Sequence, residues 1–162
     1  MRTTRKTEKD AIAEEWLALL IQSFPPEGRH FLQLEKDPFR NPMGHALREN
    51  VPILLDEILG GMDRARLTSA LEDIVRICAV QDFPPSQSVE FLFGLQTALR
   101  GRWKGEQEDW DETVRRTQNA ALMAFDLYMA CREKIYAVRA DETRRRVAQL
   151  ERVYMQADGG PR

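Results

Sequence analysis

From Asp109 to Gln156 the chain contains neither glycine nor proline. The stretch reads as one long helix or two collinear ones, roughly 70 Å from end to end if wholly helical at about 1.5 Å per residue. A compact domain of this chain length has a radius of gyration of only about 15 Å. Something must therefore protrude or bend. Leu122, Phe125, Met129 and Tyr136 read as a broad apolar face that belongs to the domain core. Beyond Arg139 that face narrows to Ala140, Thr143, Val147, Leu150 and Tyr154, spaced alternately three and four, which is the seam of a short coiled coil. The expected division is a core over residues 10–140 and a protruding helix over 141–156 that packs on another chain.

The rest of the chain is sufficient to build that core. With 162 residues, 43% of them hydrophobic, it suits a single domain that buries about two-thirds of its unfolded surface. The formal net charge is only -2, so composition gives no global nucleic-acid footprint. Arginine outnumbers lysine by 19 to 5, a bias that suits bidentate pairing but that the nucleotide composition of the source genome can equally produce. Cys78 and Cys131 lie in helical patterns, not in a spaced framework, and read as free thiols of a reduced, cytoplasmic protein, packed as small apolar residues. The charged amino terminus does not read as a signal peptide, and no run of about 18 apolar residues offers a membrane span.

Periodicity and punctuation divide the chain into helices. Ile12, Trp16, Leu19 and Leu20 form one face of a first helix, stopped by Phe24-Pro25-Pro26. Pro26 opens a short second helix anchored by Phe31, Leu32 and Leu34. Asn41 caps a third whose first residue is Pro42 and which carries Leu47, Val51, Leu54, Leu55 and Ile58 to Gly60-Gly61, with a kink expected at Pro52. Asp63 caps a fourth through Leu67, Leu71, Ile74, Val75 and Cys78, ended by Asp82-Phe83-Pro84-Pro85. A fifth, from Pro85, is apolar nearly all round and should lie in the middle. No segment alternates as a strand does, so the predicted fold is an all-α bundle of about six helices.

Chemistry is sparsely marked. There is no phosphate-binding glycine loop, no Cys-x-x-Cys, no His-Glu-x-x-His and no Gly-x-Ser-x-Gly. His45 is the one candidate ligand residue, since a lone helical histidine can bind haem iron, although one in the first turn after Asn-Pro more often bonds locally or faces water. Arg76 lies between Val75 and Ile77, and Asp126 between Phe125 and Leu127. Each either faces solvent or, if covered on several sides, must pair with the other or with Arg132, because an unpaired buried charge costs several kcal/mol.

Three segments, Asn41-Pro42-Met43-Gly44-His45, Ile74 to Phe83 and Phe125 to Tyr136, together resemble the RsbRD-type amino-terminal domain of RsbT co-antagonist proteins, the sensory half of stressosome components. The likeness runs from Asp10 to Arg145. It implies an all-helical input domain, globin-like without haem by analogy with related co-antagonists, dimeric, and joined through its last helix to a carboxy-terminal STAS domain. The chain departs from that architecture in ending at Arg162, which leads us to expect a free-standing module. The resemblance brings no enzyme activity and no cofactor. The function expected is a non-enzymatic sensory or interaction module, a homodimer that passes a signal to another protein, with no nucleic acid or membrane involved. The competing reading is a small-molecule sensor or carrier, for haem or a lipid-like ligand held between apolar helices.

Overall fold

The structure, a computed structural model, describes residues 2–158, with side chains described over 8–156. Six helices account for the regular structure of the described residues: α1 (Arg2–Gln22), α2 (Pro26–Leu34), α3 (Pro42–Leu59), α4 (Arg64–Val80), α5 (Pro85–Arg100) and α6 (Gln107–Asp158). The all-α bundle expected from periodicity is the fold. Packing closes a ring, α1 on α3, α3 on α4, α4 on α6, α6 on α5 and α5 back on α1, with α2 laid against α1 and α3.

Local chemistry explains the boundaries. The Asn41 side chain accepts from the Gly44 N–H at 2.8 Å, while its amide donates to the carbonyls of Phe31 and Glu35 at 3.2 and 2.9 Å. One buried side chain thus starts α3 and finishes α2. Position 44 must be glycine for that geometry, because a Cβ there would stand 2.2 Å from the Asn41 amide nitrogen. Asp63 caps α4 through the N–H groups of Ala65 and Arg66. Pro52 sits on the exposed side of α3, which continues through it without interruption. The missing donor at Pro52 falls on the solvent side, where water can satisfy the freed carbonyl.

The core is continuous. Trp16 is fully buried and donates its indole N–H to the Phe91 carbonyl at 2.6 Å, tying α1 to α5. Leu47, Leu54, Leu55 and Ile58 of α3, Leu67, Leu71 and Ile74 of α4, and Leu92 and Leu95 of α5 complete it. Two expectations fail. On α2 only Leu32 is buried, while Phe31 and Leu34 are 47% and 63% exposed, because a helix of two and a half turns has only one side against α1 and α3. On α6, the large residues Leu122, Phe125, Met129 and Tyr136 are 68%, 43%, 40% and 56% exposed. The buried residues of α6 are instead Thr113, Thr117, Ala120, Ala121, Ala124 and Tyr128, with Met123, Leu127 and Ile135 partly buried beside them. Small side chains let the helix axes come close, and the large apolar residues lie roughly a third of a turn further round.

Candidate interaction site: the sixth helix

The first third of α6 is fastened to the bundle. Arg116 donates to the carbonyls of Ile58 and Gly60 at 3.2 and 2.7 Å, closing the carboxy-terminal end of α3, and is steadied by Glu112 at 2.7 Å. The guanidinium groups of Arg115 and Arg116 hold the Glu112 carboxyl below its ordinary range. The buried hydroxyls of Thr113 and Thr117 donate to carbonyls four residues earlier in the same helix, so a polar residue enters the core without an unmatched donor.

A second fastening lies where α6 leaves the bundle. The last turn of α4 ends in Asp82 at φ 56, a left-handed residue of a type that tolerates it, with the Phe83 N–H bonded to the Cys78 carbonyl and the Asp82 N–H to the Ala79 carbonyl. Onto this turn α6 places three side chains, Tyr128, Arg132 and Arg139, with Tyr136 bracing Arg132. The Tyr128 hydroxyl donates to the Phe83 carbonyl. Arg132 donates to the Asp82 carboxylate at 2.5 Å, to the Ala79 carbonyl at 3.0 Å and to the Tyr136 hydroxyl at 2.8 Å, with its guanidinium 4.8 Å from the centre of the Tyr136 ring. Arg139 reaches the second carboxylate oxygen at 3.6 Å. Arg132 foremost, with Arg139 behind it, holds the Asp82 carboxyl below its ordinary range, and Asp82 in turn raises Arg132.

This arrangement replaces the ion pair anticipated between Arg76 and Asp126. Arg76 is 57% exposed and reaches its own-helix neighbours Glu72 and Asp73, while Asp126 is exposed. Neither is buried, so neither needs the other. Of the three charged candidates only Arg132 is largely covered, 14% exposed, and its carboxylate partner is Asp82, a residue not singled out from the sequence. Asp82 carried one usable signal, its position after the last apolar residue of α4 and before Phe83-Pro84-Pro85.

Past that point α6 is free. Every residue from Tyr136 to Gln156 is exposed, a projecting helix of roughly 30 Å at 1.5 Å per residue. Val147, Leu150 and Tyr154 are 48%, 57% and 74% exposed, and Ala140 and Thr143 share their side. The outward residues Leu122, Phe125, Met129 and Tyr136 fall in line with them at steps of three and four, so one uncovered apolar stripe runs from Leu122 to Tyr154. Arg132, Arg139 and Arg146 flank it on one side; Asp126, Glu133, Arg144 and Glu151 flank it on the other.

His45 lies apart from all this, in the first turn of α3, with a 40% exposed side chain 3.3 Å from Glu49. It lines none of the grooves at the Trp103 loop, between α1 and α5, between α1 and α3 or between α4 and α6. Trp103 and Trp110 stack edge to face at the α5–α6 connection, and Trp103 lines a groove of about 530 Å³. Among the described residues there is no cluster of three or more metal-ligating side chains, and no helix long and apolar enough to cross a membrane.

An uncharacterized protein of Archaeoglobus fulgidus is 34% identical over 77 residues, a match that takes in 47% of this chain. The chain spans about half the length of that curated relative, 51%. No solved structure matches. The model of the RsbT co-antagonist protein rsbRD N-terminal domain matches residues 10–143, which runs from α1 through the anchored part of α6 and into its projecting arm. The chain therefore belongs to the RsbT co-antagonist protein rsbRD N-terminal domain family, a family of stressosome-related sensory domains.

Proposed function

We propose that the protein is a non-enzymatic sensory and interaction module that pairs with a second copy of itself through α6 and passes a signal to another protein along that helix. The observation that carries the reading is the apolar stripe from Leu122 to Tyr154, uncovered in the monomer although it lies on the same helix as the core. An isolated helix of this kind is marginal in water, and its stability in proteins comes from covering an apolar face. A two-fold copy supplies a matching surface. In a parallel pair opposite flanks meet, so Arg146 of one copy faces Glu151 of the other, whereas an antiparallel pair along the whole stripe sets the arginine flanks of the two copies against each other.

Ala140, Thr143, Val147, Leu150 and Tyr154 form the distal part of the interface, and Leu122, Phe125, Met129 and Tyr136 the proximal part. Sedimentation at micromolar concentration tests it. A dimer is expected for the full chain, and a folded, more weakly associating domain after truncation behind Arg139. A clean monomer at all concentrations overturns the reading. An unchanged dimer after truncation confines the interface to the proximal residues and leaves the arm to the signalling partner. Haem-supplemented expression tests the small-molecule alternative at His45: a Soret band lost in His45→Ala would favour it.

A further inference from the structure

We propose that the Asp82 turn is a latch that fixes where α6 leaves the bundle, and that its release changes how the apolar stripe is presented. The turn is held from both sides. On one side stand Tyr128, Arg132 and Arg139 of α6, with Tyr136 bracing Arg132. On the other, the Phe83 ring packs on Phe24 at 4.9 Å between centroids, and Gln87 donates to the Ser23 carbonyl at 2.7 Å, so the corner between α1 and α2 bears directly on the turn. A contiguous set of contacts thus runs from the α1–α2 corner, through a left-handed residue, to the last anchored turns of α6. Beyond Arg139 and the groove residue Glu142, every residue of α6 through Gln156 is exposed.

The latch has few parts. Asp82 is 56% exposed, so its carboxylate is held by two arginines and not by burial, and a competing anion or a shift of the α1–α2 corner can release it. Beside it a groove of about 520 Å³, walled by Val80 of α4 and Ile135 and Val138 of α6, opens between the two helices just past the ion pair. Once Asp82 lets go, the Tyr128 hydroxyl on the Phe83 carbonyl and the Arg132 bond to the Ala79 carbonyl are the α6 side-chain contacts that still hold the turn.

This inference rests on the reading of α6 as the output element, and its test separates the two. Asp82→Gly retains a residue suited to the left-handed backbone and deletes the carboxylate, so the variant folds. Arg132→Met removes the other half while keeping a side chain that packs. In hydrogen exchange on the full chain, both variants should lose about tenfold or more protection in peptides covering residues 128–138 while peptides from α3 to α5 keep theirs. Unchanged protection at 128–138 in both overturns the latch, whatever the oligomeric state. Sedimentation of Asp82→Gly should show association weakened about tenfold, which is a factor readable in the monomer–dimer equilibrium. Lost protection with association unaltered overturns the link from latch to stripe. A monomeric wild type overturns the proposed function while the exchange result still decides the latch.

Discussion

Cys78 and Cys131 show how much environment decides what a side chain can do. Burial in the α4 core pushes the Cys78 thiol up to about 12, so almost no thiolate is present at neutral pH. Cys131 is half-buried on the wall of the α4–α6 groove. A thiol reagent at neutral pH should therefore react with Cys131 first and with Cys78 only as the protein unfolds; fast reaction of two thiols in native conditions would contradict this. Asp82 and Glu112 make a matching prediction on the acid side. Both carboxyls sit below their ordinary range in the folded state, chiefly through arginine partners, so their contribution is present above the ordinary carboxylate pKa and is lost as pH falls through the depressed folded values. Asp82→Asn should flatten the acid limb of the stability curve, measured by denaturant midpoint between neutrality and about pH 3. An acid limb as steep as that of the wild type would mean that Asp82 is not linked to folding.

At the scale of the element, arginine performs one repeated task. Arg48 of α3 donates to the Leu32 and Glu35 carbonyls at the end of α2, Arg116 of α6 closes the end of α3, and Arg132 of α6 closes the end of α4. Each guanidinium meets carbonyls at a helix terminus, where the regular helical partner is missing and a cation is also favoured by the helix dipole. Lysine presents no planar fork, and Arg116→Lys should cost about 1 kcal/mol in chemical denaturation. The start of α3 and the ends of α3 and α4 were legible in the sequence because they are written locally, in Asn41-Pro42, Gly60-Gly61 and Phe83-Pro84. The working face of α6 was not. Bulk suggested Leu122, Phe125 and Met129 as core, whereas contact with α4 and α5 selects Thr117, Ala120 and Ala124, and that preference depends on how closely the neighbouring helices approach. The Arg132 partner was hidden for a similar reason, since Asp82 lies 50 positions away. The faces can be told apart by experiment: Ala124→Leu should overpack the bundle and cost about 1–3 kcal/mol, while Leu122→Ala should leave monomer stability within about 0.5 kcal/mol and weaken association. The reverse ordering would restore the bulky face to the core.

At the scale of the whole molecule, one helix belongs to two bodies. Its first part, from Arg116 to Arg132, is fixed to α3, α4 and α5, and its last part touches none of them. A chain cut behind Arg139 should therefore keep its thermal midpoint within a few degrees at a concentration where both forms are monomeric, and a large drop would mean that the arm folds back on the domain. Because α6 runs unbroken from Gln107 to Asp158, with no glycine or proline between, it behaves as a stiff lever whose fulcrum is the Arg132 anchorage. A tilt of about 10° there would carry the far end roughly 6 Å sideways, given a rise of about 1.5 Å per residue over the projecting length. That is more than the width of a side-chain contact, so a rearrangement too small to disturb the core would be enough to move Leu150 and Tyr154 out of reach of whatever they touch.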